Sequence, residues 1–268
     1  MFSANPKIKE WGIMRFTFFG TSDTGRHRTN NEDSYICNPK EQLFLVADGM
    51  GGQASGEIAS KIAVKSAEEF FVRSREKDTT WPIPYRQDLT SEQNRLHAAA
   101  AHANEMIRNF SSKNPSMKGM GTTLVGVTVE RDHLAIVNVG DSRLYRIHDQ
   151  RIEQITHDHN LAWEQERVGL LTKEEAWNHP QRHILTSALG IEVIENIRID
   201  LTSSEIHEKD LYLMCSDGLN DMLSDEEILK SINLTKRKSL EYVAHTLIQD
   251  AYRAGGRDNI TVILLFFS

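Results

Sequence analysis

Several carboxylates in this sequence stand where a strand end can present them. Asp48 closes the apolar run LFLVA and is followed by Gly49, Met50, Gly51 and Gly52, and Asp217 closes LYLMCS ahead of Gly218. Asp141 lies in VNVGDSR between two apolar runs, Asp258 in GGRDNITVILL just before the last run, and Glu32 and Asp33 precede the first in RHRTNNEDSY. Taken singly, each Asp-Gly reads first as a turn, because glycine admits positive φ and an Asp carboxylate bonds its own backbone. Taken as a set they read differently. Carboxylates about 4 Å apart repel by roughly 4 kcal/mol per pair at a surface-like dielectric, so a converging group needs a cation. All-oxygen ligands suit Mg²⁺ or Mn²⁺ rather than zinc, and neither HExxH nor CxxC occurs.

Rival chemistries use the same residues. Gly49, Gly51 and Ala54 fit GxGxxA between a strand and a helix, with Glu68 or Glu69 near the distance of a ribose partner, so a dinucleotide-binding domain is an alternative. Against it, Asp48 would adjoin the pyrophosphate. His157, Asp158 and His159 can be read as a ligand group, but in a His-rich segment expected to be exposed the structural reading is preferred. Cys215 lacks an arginine six residues on, where Asp221 stands, and reads as a buried thiol. GxSxG and the GK[ST] ending of a Walker A loop are absent.

The elements that must carry these residues follow from hydrophobic pattern. Leu43 to Ala47, Thr122 to Val129, Leu134 to Val139, Leu144 to Ile147, Asp210 to Cys215 and Ile260 to Phe267 read as buried strands. From Thr122 to Ile147 the connections ERDH and GDSR are too short for parallel crossovers, which predicts an antiparallel meander. Helical periodicity covers Ala54 to Val72, Glu92 to Phe110 and Leu240 to Ala254. The order of elements lacks the alternation of a doubly wound fold and suggests antiparallel sheet covered by helices. Residues 74–91 read as a solvated helix-to-helix connection, and residues 155–190 as a surface flap.

Composition narrows the function. With 31 Lys and Arg against 38 Asp and Glu the formal charge is −7, which disfavours nucleic acid or an anionic membrane as the main partner. Two cysteines, Cys37 and Cys215, argue for a reducing compartment. No signal peptide or span-length apolar run is evident, and a cytoplasmic protein is expected.

RHRTNNED, VADGMGG, GMGTTLVG, VNVGDSRLYRI, LTSALG, CSDGLNDML and GGRDNITVILL, in this order, resemble the metal-dependent PPM (type 2C) Ser/Thr protein phosphatases, in particular their bacterial branch. The resemblance implies an α+β fold: a four-layer α-β-β-α sandwich with two central antiparallel sheets, formed by a single domain over residues 1–268. It implies two Mn²⁺ or Mg²⁺ ions. Asp48 would bridge them, Asp217 and Asp258 would bind the first, the Gly49 carbonyl and Glu32 the second, and Asp141 a weaker third. Asp33 would orient a water bridging the metals, which attacks phosphorus in line. Arg28 stands at the phosphate-binding position, where its guanidinium can fork onto two oxygens. Met50 replaces the histidine of the DGHGG found in many eukaryotic members, so the general acid is unassigned. The implied partners are phosphoserine and phosphothreonine proteins, including a cognate Ser/Thr kinase, acted on by a monomer. The other classes considered are a phosphoprotein-binding module without catalysis and a phosphatase devoted to one partner-switching protein.

Overall fold

Strand β3 (Leu43–Met50) shows why the strands read as unbroken apolar runs. Its Leu43, Leu45 and Ala47 join the core beneath one pair of helices, while Phe44 and Val46 join the core between the two sheets. A strand covered on both faces has no solvent-facing positions to carry polar residues. The computed structural model describes residues 15–51, 55–235 and 237–268. Gly52 and Ala54 of the glycine-rich stretch, and the N-terminal residues in which no signal peptide is read, lie outside them.

Among the described residues the first elements are β1 (Phe16–Asp23) and β2 (Asp33–Asn38), then β3. Helices α1 (Ser55–Arg73) and α2 (Ser91–Lys113) follow, and then β4 (Gly121–Thr122), β5 (Leu124–Glu130), β6 (His133–Val139), β7 (Arg143–His148) and β8 (Arg151–Gln154). After α3 (Leu161–Arg167) and α4 (Lys173–Trp177) come β9 (Asp200–Glu205), β10 (Leu211–Cys215), α5 (Asp217–Asn220), α6 (Asp225–Thr235), α7 (Leu240–Ala254) and β11 (Ile260–Phe267). One sheet runs β1-β11-β10-β7-β8, and the other β2-β3-β5-β6-β9 with β4 beside β3. All their pairings are antiparallel.

Three apolar layers make this the expected four-layer sandwich. Phe70, Phe71, Leu96 and Ile107 pack α1 and α2 on one sheet. Leu247, Ile248 and Ala251 of α7 and Ile228 of α6 cover the other. Tyr212, Met214, Ile263 and Leu265 meet Phe44 and Val125 in between. Most of the 74–91 connection is exposed, but Trp81 sets its edge against Phe70 at a centroid distance of 5.9 Å and Ile83 joins it on the helical core. Among the described residues no helix is long and apolar enough to cross a membrane.

The expected three-strand meander is corrected. β5 and β6 pair, but β7 leaves for the other sheet, where it lies between β10 and β8. GDSR is therefore a crossing between sheets, not a hairpin. Gly140 takes φ +100°, and a Cβ there would come within 2.5 Å of the Thr123 side chain. A short connection fixes antiparallel neighbours only within one sheet; stacked sheets let the chain turn down instead.

Candidate active site

The carboxylates converge because two pairs of adjacent strands, one pair in each sheet, end at the same rim of the sandwich. In the β2–β3 pair Asp33 lies opposite Asp48, and the Gly49 amide donates to the Glu32 carbonyl at 3.1 Å. Gly49 must be glycine for a packing reason: a Cβ would stand 2.0 Å from the Gly56 carbonyl oxygen at the start of α1. In the other sheet Asp217 follows β10, and Asp258 and Asn259 precede its neighbour β11. The two threonines of GMGTTLVG secure Asp48 through its backbone. Thr122 Oγ1 and the Thr123 amide donate to its carbonyl at 2.8 and 2.9 Å, and its amide donates to Thr123 Oγ1 at 2.9 Å. The Asp48 carboxylate is left to the cleft. Thr123 Oγ1 also lies 2.7 Å from Ser142 Oγ, which ties this turn to the loop carrying Asp141.

A cleft of about 790 Å³ opens at this rim, and Arg28, Glu32, Asp48, Asp141, Asp217 and Asp258 all line it. Arg182, His183 and Asp221 form one side, and Ala188, Ile191 and Ile197 give an apolar wall. Asp33 lies just beneath, with Oδ2 accepting from Ser216 Oγ and Thr261 Oγ1, each at 2.6 Å. Burial pushes the Asp33 carboxyl up to about 6 despite these two bonds. Burial, then the neighbouring Asp217, Asp33 and Asp141, hold Asp48 well above the usual carboxylate range. Asp217 is raised in the same way, by burial and by Asp141, Asp221 and Asp258. Asp141 is pushed up to about 7 by burial, then by Asp158 and Asp221. At the mouth, Arg28 Nη2 donates to Asp258 Oδ2 at 2.6 Å.

A profile described as Protein phosphatase 2C matches residues 20–254. The chain belongs to that family. The Serine/threonine phosphatase stp of Listeria innocua is 36% identical to this 2C-family chain over 250 residues, covering 91% of this chain and 93% of that protein. The crystal structure of the Mycobacterium tuberculosis serine/threonine phosphatase PstP/Ppp superposes with a TM-score of 0.79 at 36% identity, over 94% of this chain and 98% of that one. A structure of the PstP catalytic domain in complex with 2 manganese ions gives a TM-score of 0.77 at 34% identity, over 94% and 98% of the two chains.

Divalent ions fit the residues of this 2C-family chain. Oδ1 of Asp33 and Oδ1 of Asp217 are buried and have no hydrogen-bond partner. Such orphaned oxygens cost free energy unless a cation or a proton meets them. Several carboxylates that raise one another's proton affinity form an electrostatically poised, all-oxygen donor set. His183, Asp217 and Asp221 also offer ligand atoms that all lie within 4.8 Å of one another.

The histidine-rich segment differs from expectation. His157 is exposed, but Asp158 and His159 are 5% and 0% exposed, so this part is no exposed flap. Asp158 accepts a forked pair from Arg143 Nε and Nη2 at 2.9 and 2.7 Å, and His159 Nε2 lies 3.1 Å from Asp200 Oδ2. The first contact roots the segment on the GDSR crossing and the second on β9. Sequence reasoning also passed over Asn259, Ser216, Thr261, Asp221 and His183. Asn259 is 3% exposed; its Oδ1 accepts from the Glu32 amide at 2.8 Å, and its Nδ2 donates to the Thr24 and Asn30 carbonyls at 2.8 and 2.9 Å. That side chain binds both ends of the loop that carries Arg28. Its place beside Asp258 was the only signal for it, and Asp221, one helical turn after Asp217, had the i+4 spacing. His183 had none.

Proposed function

We propose that the chain is a metal-dependent protein phosphatase that hydrolyses phosphoserine and phosphothreonine, using two Mn²⁺ or Mg²⁺ ions. The observation that carries this reading is the meeting of Asp48, Asp217 and Asp258, with orphaned buried carboxylate oxygens, beneath a rim arginine. In this reading Asp48, Asp217, Asp258, Glu32 and the Gly49 carbonyl would hold the two ions, and Asp141 would help hold a weaker third. Bound metal would supply charge to stabilise phosphoryl transfer and to activate a nucleophilic water.

The chain's own residues have distinct tasks. Arg28 releases Asp258 and takes two phosphate oxygens in its planar fork, which orients the ester for in-line attack. Asp33, held by Ser216 and Thr261 through Oδ2, keeps Oδ1 free to orient a water proton. No histidine stands at Met50 to protonate the leaving serine oxygen, so that proton is assigned to solvent at the cleft. Residues 155–190 act as a flap rooted by Arg143 and Asp158, and 74–91 is a variable connection within a single domain over 1–268. We further assign a monomer, a cytoplasmic location and a role opposing a Ser/Thr kinase.

Mn²⁺-dependent release of phosphate from a phosphothreonine peptide tests this. Hydrolysis that disappears in Asp48→Asn and Asp217→Asn, with calorimetric loss of metal binding, is the expected result; wild-type rates in both variants would sink it.

A further inference from the structure

Next to the cleft lies a second hollow of about 410 Å³, lined by Trp177, Arg182, His183, Asp221, Met222 and Arg257 among others. Five of these, Arg182, His183, Asp221, Met222 and Arg257, also line the main cleft, so the two spaces are continuous. Their charges differ. The main cleft gathers carboxylates, whereas here two arginines and a histidine face the single carboxylate of Asp221. Arg182 Nη2 stands 3.4 Å from Asp221 Oδ1, and His183 Nδ1 stands 3.2 Å from Oδ2.

The two arginines are prepared differently. Arg182 is fixed: its Nη1 donates to the Trp177 carbonyl at 2.9 Å, its guanidinium lies 5.3 Å from the centroid of the Trp177 ring, and its side chain is only 15% exposed. An arginine already held on an aromatic ring loses little freedom when it meets an anion. Arg257 is exposed and makes no ion pair or side-chain hydrogen bond among the described residues. In a chain of net charge −7, an unpaired arginine facing a hollow beside the cleft is a local reversal of sign.

We propose that this hollow binds a second anionic group, a phosphate or a carboxylate, on the same phosphoprotein segment whose phosphoester enters the main cleft. Arg257 is the principal contact and Arg182 the pre-oriented fork beside it. The enzyme would then favour phosphoresidues with acidic or phosphorylated neighbours. This rests on the phosphatase reading above. The competing structural account is that Arg182 and His183 merely latch their segment onto Asp221. Arg257 takes no part in that latch, so its substitution separates the two.

The test uses the full chain loaded with Mn²⁺ and compares kcat/KM for p-nitrophenyl phosphate and for a phosphothreonine peptide with neutral flanks. The same peptide then carries, at each flanking position in turn, a glutamate or a non-hydrolysable phosphonate. At a position that reaches the hollow, glutamate should raise kcat/KM about fivefold, the scale of one partly exposed ion pair, and the phosphonate should raise it more. A rise given by glutamate identifies a carboxylate as a sufficient source; a rise confined to the phosphonate identifies a phosphate. Arg257→Gln should abolish the preference, and R257K should restore part of it, while p-nitrophenyl phosphate and the neutral peptide keep wild-type rates. Equal hydrolysis at every flank overturns the inference. So does a preference that survives Arg257→Gln, or a loss of equal size on p-nitrophenyl phosphate. Absence of any Mn²⁺-dependent hydrolysis, p-nitrophenyl phosphate included, overturns the phosphatase reading itself.

Discussion

Arg28 and Asp258, 230 positions apart in sequence, form an ion pair at the mouth of the cleft, with Nη2 and Oδ2 2.6 Å apart and the side chains 47% and 34% exposed. A pair this exposed contributes no more than about 1 kcal/mol to stability, so a phosphate dianion can displace the carboxylate at little cost. Arg28→Lys keeps the charge but loses the fork. It should raise KM for a phosphopeptide about tenfold, the scale of one charge-assisted hydrogen bond, with a smaller change in kcat and an unchanged melting temperature. Steady-state kinetics and a thermal melt check this; an unaltered KM would remove Arg28 from phosphate binding.

The acidic cluster sets buried carboxylates against one another, which costs the metal-free fold stability. Asp48→Asn should abolish activity while raising the melting temperature in EDTA. Relief of about 1 kcal/mol of repulsion corresponds to about 2–4 °C in a chain of roughly this size. Scanning calorimetry with and without Mn²⁺ separates the effects, since Mn²⁺ should stabilise wild type far more than the variant.

The pH dependence of the metal-free protein follows from the same cluster. Burial pushes Asp33 up to about 6, and burial with Asp158 pushes Asp141 up to about 7. Both lie above the unfolded carboxylate value of about 4, so the native state binds more protons than the unfolded state across this range. Stability should therefore fall as pH rises from about 4 through about 7. In EDTA the melting temperature should be lower at pH 8 than at pH 5; a rise over that interval would contradict the electrostatic account.

Asn259 is predicted to matter as much for the Arg28 loop as for stability. Asn259→Ala removes three part-buried hydrogen bonds and should cost about 2–3 kcal/mol. Its effect on phosphopeptide KM should not add to that of Arg28→Ala, because both act through one loop. Urea midpoints and a double-mutant cycle provide the measurement, and full additivity in KM would assign Asn259 a purely structural part.

The Arg143–Asp158 pair is fully enclosed, with side chains 5% and 2% exposed. Asp158→Asn should destabilise by about 3–5 kcal/mol, because it strands a buried guanidinium. Replacing both residues by apolar ones should recover most of that loss. Denaturant unfolding decides, and an equal loss in the double variant would argue against the stranded-charge explanation.

Much of this was legible along the chain. Ile260 to Phe267 and Leu240 to Ala254 coincide with β11 and α7, because a run buried on both faces and a 3.6-residue period each leave a clear mark. β1 and β2 escaped notice: only Asp33 of β2 is buried, and β1 is half-buried almost throughout, so neither shows a clean apolar run. The carboxylates were visible as strand-end residues, and family resemblance supplied their grouping.

What the sequence determined by itself was the periodicity of its elements, the oxygen-only chemistry of its acidic turns and the kinship of its motifs. Each depends on near neighbours, or on motif order, which a linear reading retains. Tertiary structure alone decided that GDSR crosses between sheets, that Asp158 is buried on Arg143, that Asn259 closes the Arg28 loop, and that Arg182, His183 and Arg257 share one hollow. Those relations join residues from separate elements. Their partners are chosen by how two sheets stack and by which buried polar atoms are left unsatisfied, quantities that exist only once the layers have packed.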